Sequence, residues 1–244
     1  MRWLDQVLSS PGIGIQTWPY LGFPEPFQAI LNDLRSGWIE QKEHPKIRSG
    51  AGQVEVTLPR GITMMFTAAD MVVRFSYQAK LKEVPGALPE LDIGPVRTFS
   101  ELLDDAKRLT LQVMESRHFP YPLYVSRIGI VAECSFVDGE LPPGPQRMLE
   151  HLESPWRTLR KCEATMLDNI READLYRDRC HHSVNLNRDD KPGAVGFKLD
   201  WQRYWPKAIP TSKSSAGTHL EECVTSATEY FEWFGAEWSI DEPE

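Results

Sequence analysis

The residues that could do chemistry are concentrated between positions 168 and 200. Cys180-His181-His182 offers thiol and imidazole ligands side by side. A structural zinc needs three or four such ligands converging on one point. In a strand, successive side chains alternate between faces, so Cys180 and His182 share one side and His181 takes the other. At most two of them could enter one site, with distant help from His219 or Cys134. The plainer account is a strand with an inward cysteine, and no metal or cofactor is expected. Asp168, Glu172, Asp174 and Asp178 could supply a carboxylate pair, but charges at turns and strand edges read the same way.

Nucleophilic and phosphate chemistry find less support. There is no G-x-S-x-G elbow, and no cysteine sits in an electropositive setting. Gly12-Ile13-Gly14 is too short and too close to proline for a dinucleotide loop.

A polar row is the better candidate. Arg177, Arg179, His181, Ser183, Asn185 and Asn187 alternate with Tyr176, Cys180, Val184 and Leu186. An antiparallel sheet presents such a row to water; a cupped one presents it to a ligand or partner. Arg179, His181 and Asn185, together with Arg127 and Asp200, are the candidate binding residues. An enzyme with a dispersed His/Asp/Arg site requires a pocket that joins Arg127, His181, Asn185 or Asp200. Aromatics also crowd the C-terminal region, at Tyr230, Phe231, Trp233, Phe234 and Trp238. Trp233 cannot fully share the Phe234 side of a helix, which makes it a candidate contact for a partner.

The elements that position these residues follow from two periods. Phe27, Ile30, Leu31, Leu34 and Trp38 recur at helical spacing after Pro24 and Pro26. Phe99 to Val113 do so after Thr98 and Glu101, a capping box. A short helix is expected over 145–153. A last one has Thr218 and Glu221 as its capping box and Gly235 as its stop. Between them the period falls to two, at Val54–Leu58, Ile62–Phe66 and Met71–Tyr77. It does so again at Tyr124, Ser126, Ile128, Ile130 and Ala132, which belong to a long strand ending at the Asp138-Gly139 turn. Further strands are expected at Cys162–Met166, Tyr176–Asn187 and Val195–Trp201.

With Gly12 to Trp18 as a first strand, the chain reads strand, helix, three-strand meander, helix, twice over. The expected fold is α+β: antiparallel sheets with long helices packed on one face, in two similar halves. These cover 1–120 and 121–244, or form one continuous domain. Val84 to Pro95 and Pro206 to Gly217 read as irregular links, and Asp241 to Glu244 as a frayed acidic tail.

Composition limits the partners. The 244 residues carry 27 basic and 35 acidic side chains, a formal charge of −8. Nucleic-acid affinity rests largely on Lys and Arg, so that class is disfavoured, and Arg157, Arg160 and Lys161 form only a short basic cluster. No apolar run is long enough for a membrane span. Met1 to Ser10 do not read as a secretory signal, and the four cysteines form no C-x-x-C pair, so a reducing cytoplasm is expected.

Tyr124-Val-Ser-Arg-Ile-Gly-Ile130 and Gly196-Phe-Lys-Leu-Asp-Trp201, followed by an aromatic C-terminal helix, resemble a sporadically distributed bacterial family of about this length. That family has no established activity, and some members stand beside mobile or antiphage genes. Where relatives tend to carry Arg-Tyr-Ile-Asn this chain has Ile130-Val-Ala-Glu133, so a role for those polar residues does not transfer. The expected function is a noncatalytic protein-binding or adaptor subunit, with a protein partner or a homo-oligomer, in a defence or toxin-control system. A small-molecule-binding domain is the alternative.

Overall fold

Wherever the sequence alternates apolar and polar residues, the chain is extended, and wherever the apolar spacing is three or four it is helical. The computed structural model describes residues 3–40, 44–50, 52–77, 80–82, 90–92, 96–137, 140–152, 164–171, 179–187 and 194–236. After a short 3-10 turn at Trp3–Gln6 come β1 (Leu8–Thr17), α1 (Glu25–Glu40), β2 (Lys46–Ser49), β3 (Val54–Thr57), β4 (Ile62–Phe66) and β5 (Asp70–Phe75). Next are β6 (Lys80–Lys82), β7 (Glu90–Asp92), α2 (Phe99–Glu115), β8 (Leu123–Val137) and α3 (Pro143–Leu152). The chain ends with β9 (Ala164–Arg171), β10 (Arg179–Asn187), β11 (Ala194–Thr211) and α4 (Lys213–Ala236). Among the described residues the class is α+β, with an antiparallel sheet and four helices.

Nine strands form one sheet in the order β2-β3-β4-β5-β1-β8-β11-β10-β9, and β6 pairs with β7 separately. At the middle of the large sheet, β1 and β8 run antiparallel with Ile13 opposite Ile130 and Ile15 opposite Ile128. α2 packs on β1 and β5, α4 packs on β8 and β11, and the two helices touch. Phe66, Phe99, Phe231 and Phe234 are among the largest fully buried side chains, in one cluster with Ile13, Ile130 and Leu199. Each such side chain contributes about 2 kcal/mol of transfer free energy.

Polar contacts fix the approach of the helices. Thr98 and Glu101 form the expected capping box at the start of α2. Asp5 accepts from the Ser100 amide at 2.8 Å and from its hydroxyl at 2.9 Å, placing a carboxylate at the positive end of the helix dipole. Trp3 Nε1 donates to the Phe231 carbonyl at 2.7 Å, and Lys107 pairs with Glu221 at 3.2 Å between α2 and α4. Asp105 gathers three guanidiniums: Arg97 at 2.8 Å, Arg108 at 2.6 Å and Arg60 at 3.6 Å. Burial works against its ionisation, but hydrogen bonds from Arg97 and Arg108 and the charges of Arg97 and Arg60 outweigh it. The carboxyl is held below its ordinary value.

Several expectations need correction. The first strand starts at Leu8, ahead of Gly12. The segment from Pro206 to Gly217 is regular: β11 runs on to Thr211 and α4 begins at Lys213. Thr218 is therefore inside α4 and caps nothing. Ser212 takes that place, its hydroxyl accepting from the Ser215 amide at 3.3 Å while Ser215 Oγ accepts from the Ser212 amide at 3.0 Å. Serine–serine boxes lack the glutamate that marks the motif in a sequence. Within Val84 to Pro95, Glu90–Asp92 is a strand paired with Lys80–Lys82. β2, fully exposed, has no apolar alternation to announce it.

In β8 the apolar rhythm breaks. A register shift against β1 falls between Gln16 and Thr17, so Val125 is buried and Tyr124 exposed, while Ile128, Ile130 and Ala132 are buried. Tyr124 and Ser126 thus do not share the Ile128 face. A bulge adds one residue and flips the parity on one side of it. Asp138-Gly139, the strand residue Cys162, the basic cluster at 157–161 and the acidic tail lie outside the described residues.

Two outcomes test these contacts. Gly61 has φ +89° in the β3–β4 turn, and a Cβ there would stand 2.5 Å from the Ser76 carbonyl oxygen. Gly61→Ala should cost about 1–3 kcal/mol in urea unfolding. Because the folded pKa of Asp105 is depressed, its contribution is present above the unfolded carboxylate value and lost as pH falls through the folded value. Asp105→Asn should therefore destabilise by about 1–2 kcal/mol at neutral pH. The gap from wild type should shrink below about pH 4, as read from unfolding curves over pH.

Candidate functional site

Side chains that point away from the helix-packed core meet across four adjacent strands. On β1, Ile13 and Ile15 are buried in the core, so Ser10, Gly12 and Gly14 fall on the other face. β8 places Arg127, Gly129, Val131 and Glu133 there, alternating with buried Ile128, Ile130 and Ala132. β11 contributes Lys198, Asp200 and Gln202, alternating with Phe197, Leu199 and Trp201, and β5 contributes Val72 and Arg74. Together they line a half-open cavity of about 280 Å³.

Its register is simple. Arg74, Gly12, Val131 and Asp200 form one row across β5, β1, β8 and β11. Val72, Gly14, Gly129 and Gln202 form the next. Three of the four central positions are therefore glycine, and the cavity exists because they carry no side chain. A Cβ on Gly14 would meet nothing within 4 Å, and one on Gly12 would make only ordinary contacts, the nearest at 3.7 Å. A Cβ on Gly129 would press Gln202 Cγ at 3.4 Å. The trough is walled by β5 on one side and β11 on the other, three strand spacings or about 14 Å apart.

A hydrogen-bonded chain runs along the β11 wall. Arg127 Nη1 donates to Gln202 Oε1 at 3.2 Å, and the Tyr204 hydroxyl donates to the same oxygen. Gln202 Nε2 then donates to Asp200 Oδ2 at 2.8 Å. Two donors on its carbonyl fix the orientation of the Gln202 amide. The Arg127 guanidinium lies over the Tyr204 ring, 5.9 Å from its centroid. Asp200 Oδ1 is buried and has no hydrogen-bond partner among the described residues. Lys198 stands 3.8 Å from Glu133. Arg74 is exposed and makes no ion pair among the described residues.

Of the residues singled out from sequence, Arg127 and Asp200 thus line one cavity, linked through Gln202. The backbones of Arg179, His181 and Asn185 pair in register with Tyr204, Gln202 and Lys198, on the strand next to the lining. Their side chains lie outside the described residues, as do those of Cys180, His182 and Asp168. Trp233 is not at the cavity: it is half-buried on α4, stacked on Tyr230 at 5.9 Å and packed against the core. Cys134 faces the core, where burial pushes its thiol pKa far up despite a contact with the Phe197 carbonyl. It makes a poor nucleophile.

Sequence reading missed Arg74 and the glycine floor. Two glycines two residues apart in an alternating strand mark a stripe bare of side chains, and Gly12 and Gly14 carried that signal. Their match in Gly129 could be found only through strand pairing.

Gly14→Val should fold with stability within about 0.5–1 kcal/mol of wild type, since valine suits a strand and meets no obstacle. Thermal unfolding checks this, and a much larger loss would mean that the space over Gly14 is occupied.

No protein-family model and no curated protein sequence matches this chain.

Proposed function

We propose that this chain is a noncatalytic binding subunit that holds a protein partner on the glycine-floored face of its sheet. Its plan reads as a duplicated strand-helix-three-strand-helix unit, joined at β1 and β8. The long helices of both units cover one face and leave the other to the partner. The sheet order supports this, since β5, β4 and β3 follow outward from β1 as β11, β10 and β9 follow from β8.

The observation that carries the reading is the row pair at the seam. Gly12, Gly14 and Gly129 open a trough at strand positions that β-branched or aromatic side chains ordinarily fill. Binding is favoured over catalysis because, among the described residues, the lining pairs no nucleophile with a base: Arg127 and Asp200 are tied to Gln202, and Lys198 to Glu133. The resemblance of Tyr124–Ile130 and Gly196–Trp201 points such a subunit towards a bacterial defence or toxin-control system.

A small molecule is the second reading, favoured by the cavity's size. At about 280 Å³ it lies just under the lower end of ligand pockets, roughly 300 Å³.

The test is affinity capture from the source cells with wild type and with Gly14→Phe, which fills the trough. A partner retained only by wild type is expected, with β5, β1, β8 and β11 protected from deuterium exchange in the recovered complex. Equal retention by Gly14→Phe would overturn the proposal. Thermal stabilisation by a metabolite, lost in Gly14→Phe, would favour the second reading instead.

A further inference from the structure

The charges around the trough do not cancel. Among the described residues that line it, Arg74, Arg127 and Lys198 face Glu133 and Asp200, leaving one net positive charge in a chain whose formal charge is −8. Glu133 is engaged by Lys198 at 3.8 Å, and one oxygen of Asp200 by the Gln202 amide at 2.8 Å. Arg127 is held by neutral groups, the Gln202 carbonyl and the Tyr204 ring. Neither Arg74 nor Arg127 has a carboxylate partner among the described residues. Arg127 is half-buried, where water compensates a guanidinium less fully. A guanidinium fork matches a planar carboxylate with two parallel hydrogen bonds.

We infer that the trough binds a single carboxylate, carried as an acidic side chain on the protein partner, with Arg74 and Arg127 as its cations. This rests on the protein-binding reading above and names the chemistry of the contact. The glycine floor lets the stem of the incoming residue lie against the backbone of β1 and β8, between Val72 and Val131. One negative charge matches the surplus. A phosphate dianion would add an uncompensated charge beside Glu133 and Asp200, which selects carboxylate over phosphate.

Blocked pentapeptides, acetyl-Gly-Val-X-Val-Gly-amide with X as Glu, Gln or phosphoserine, test this by titration against the amide NMR signals of Gly12, Gly14 and Gly129. The Glu peptide should move those signals at millimolar concentration, and the Gln peptide should bind at least tenfold more weakly. Arg74→Gln and Arg127→Gln should each weaken the Glu peptide severalfold, and together abolish the shift. Equal binding of Glu and Gln peptides, or no shift with any of them, would overturn the inference, and this comparison needs no variant to fold. Tighter binding of the phosphoserine peptide would overturn it in favour of a phosphate site. If the captured partner is lost by Gly14→Phe yet kept by the double arginine variant, the carboxylate fails and the protein-binding reading stands. If Gly14→Phe keeps the partner, both fall.

Discussion

The antiparallel pairing of β1 with β8 is the constraint on which the rest depends. It joins β5, β4, β3 and β2 to β11, β10 and β9 in one sheet, and it does so with two different faces. Towards the helices, Ile13, Ile15, Ile128 and Ile130 stack in facing pairs and are nearly inaccessible to water. On the opposite side the same strands set glycine beside glycine. Because side chains alternate with a period of two, a slip of one residue would turn the isoleucines out and the glycines in. Core and trough are thus fixed by the same register.

Around this seam the polar groups divide by task. Asp105 with its three arginines, Asp5 at the start of α2 and Lys107 with Glu221 hold helices and turns in place. Each is tied to an ionic or hydrogen-bonded partner, and its effect is structural. The Arg127–Gln202–Asp200 chain differs: among the described residues, it ends on a buried carboxylate oxygen with no partner and begins on a guanidinium that meets only neutral groups. A sheet selected for stability alone gains nothing from that arrangement, since buried polar atoms without partners cost free energy.

Much of the fold was legible because the apolar rhythm is clean. Val54–Leu58, Ile62–Phe66 and Met71–Phe75 alternate without a break, and the Thr98–Glu101 box marks α2 to the residue. Reading failed where rhythm and structure part. The bulge near Val125 changes parity inside β8, and Pro206 and Pro210 within β11 suggested a loop to any reader who expects proline to end a strand. The site was half legible. Arg127 and Asp200 were already candidates for a shared pocket, whereas the glycines that make room between them look like weakness in a strand until β1 and β8 are laid side by side.

Native-state hydrogen exchange tests the seam most directly. If β1 and β8 hold a single sheet together, the slowest amides of β4, β5, β1, β8 and β11 should open with one common free energy equal to that of global unfolding. Two distinct opening energies, one for β4, β5 and β1 and another for β8 and β11, would contradict the account.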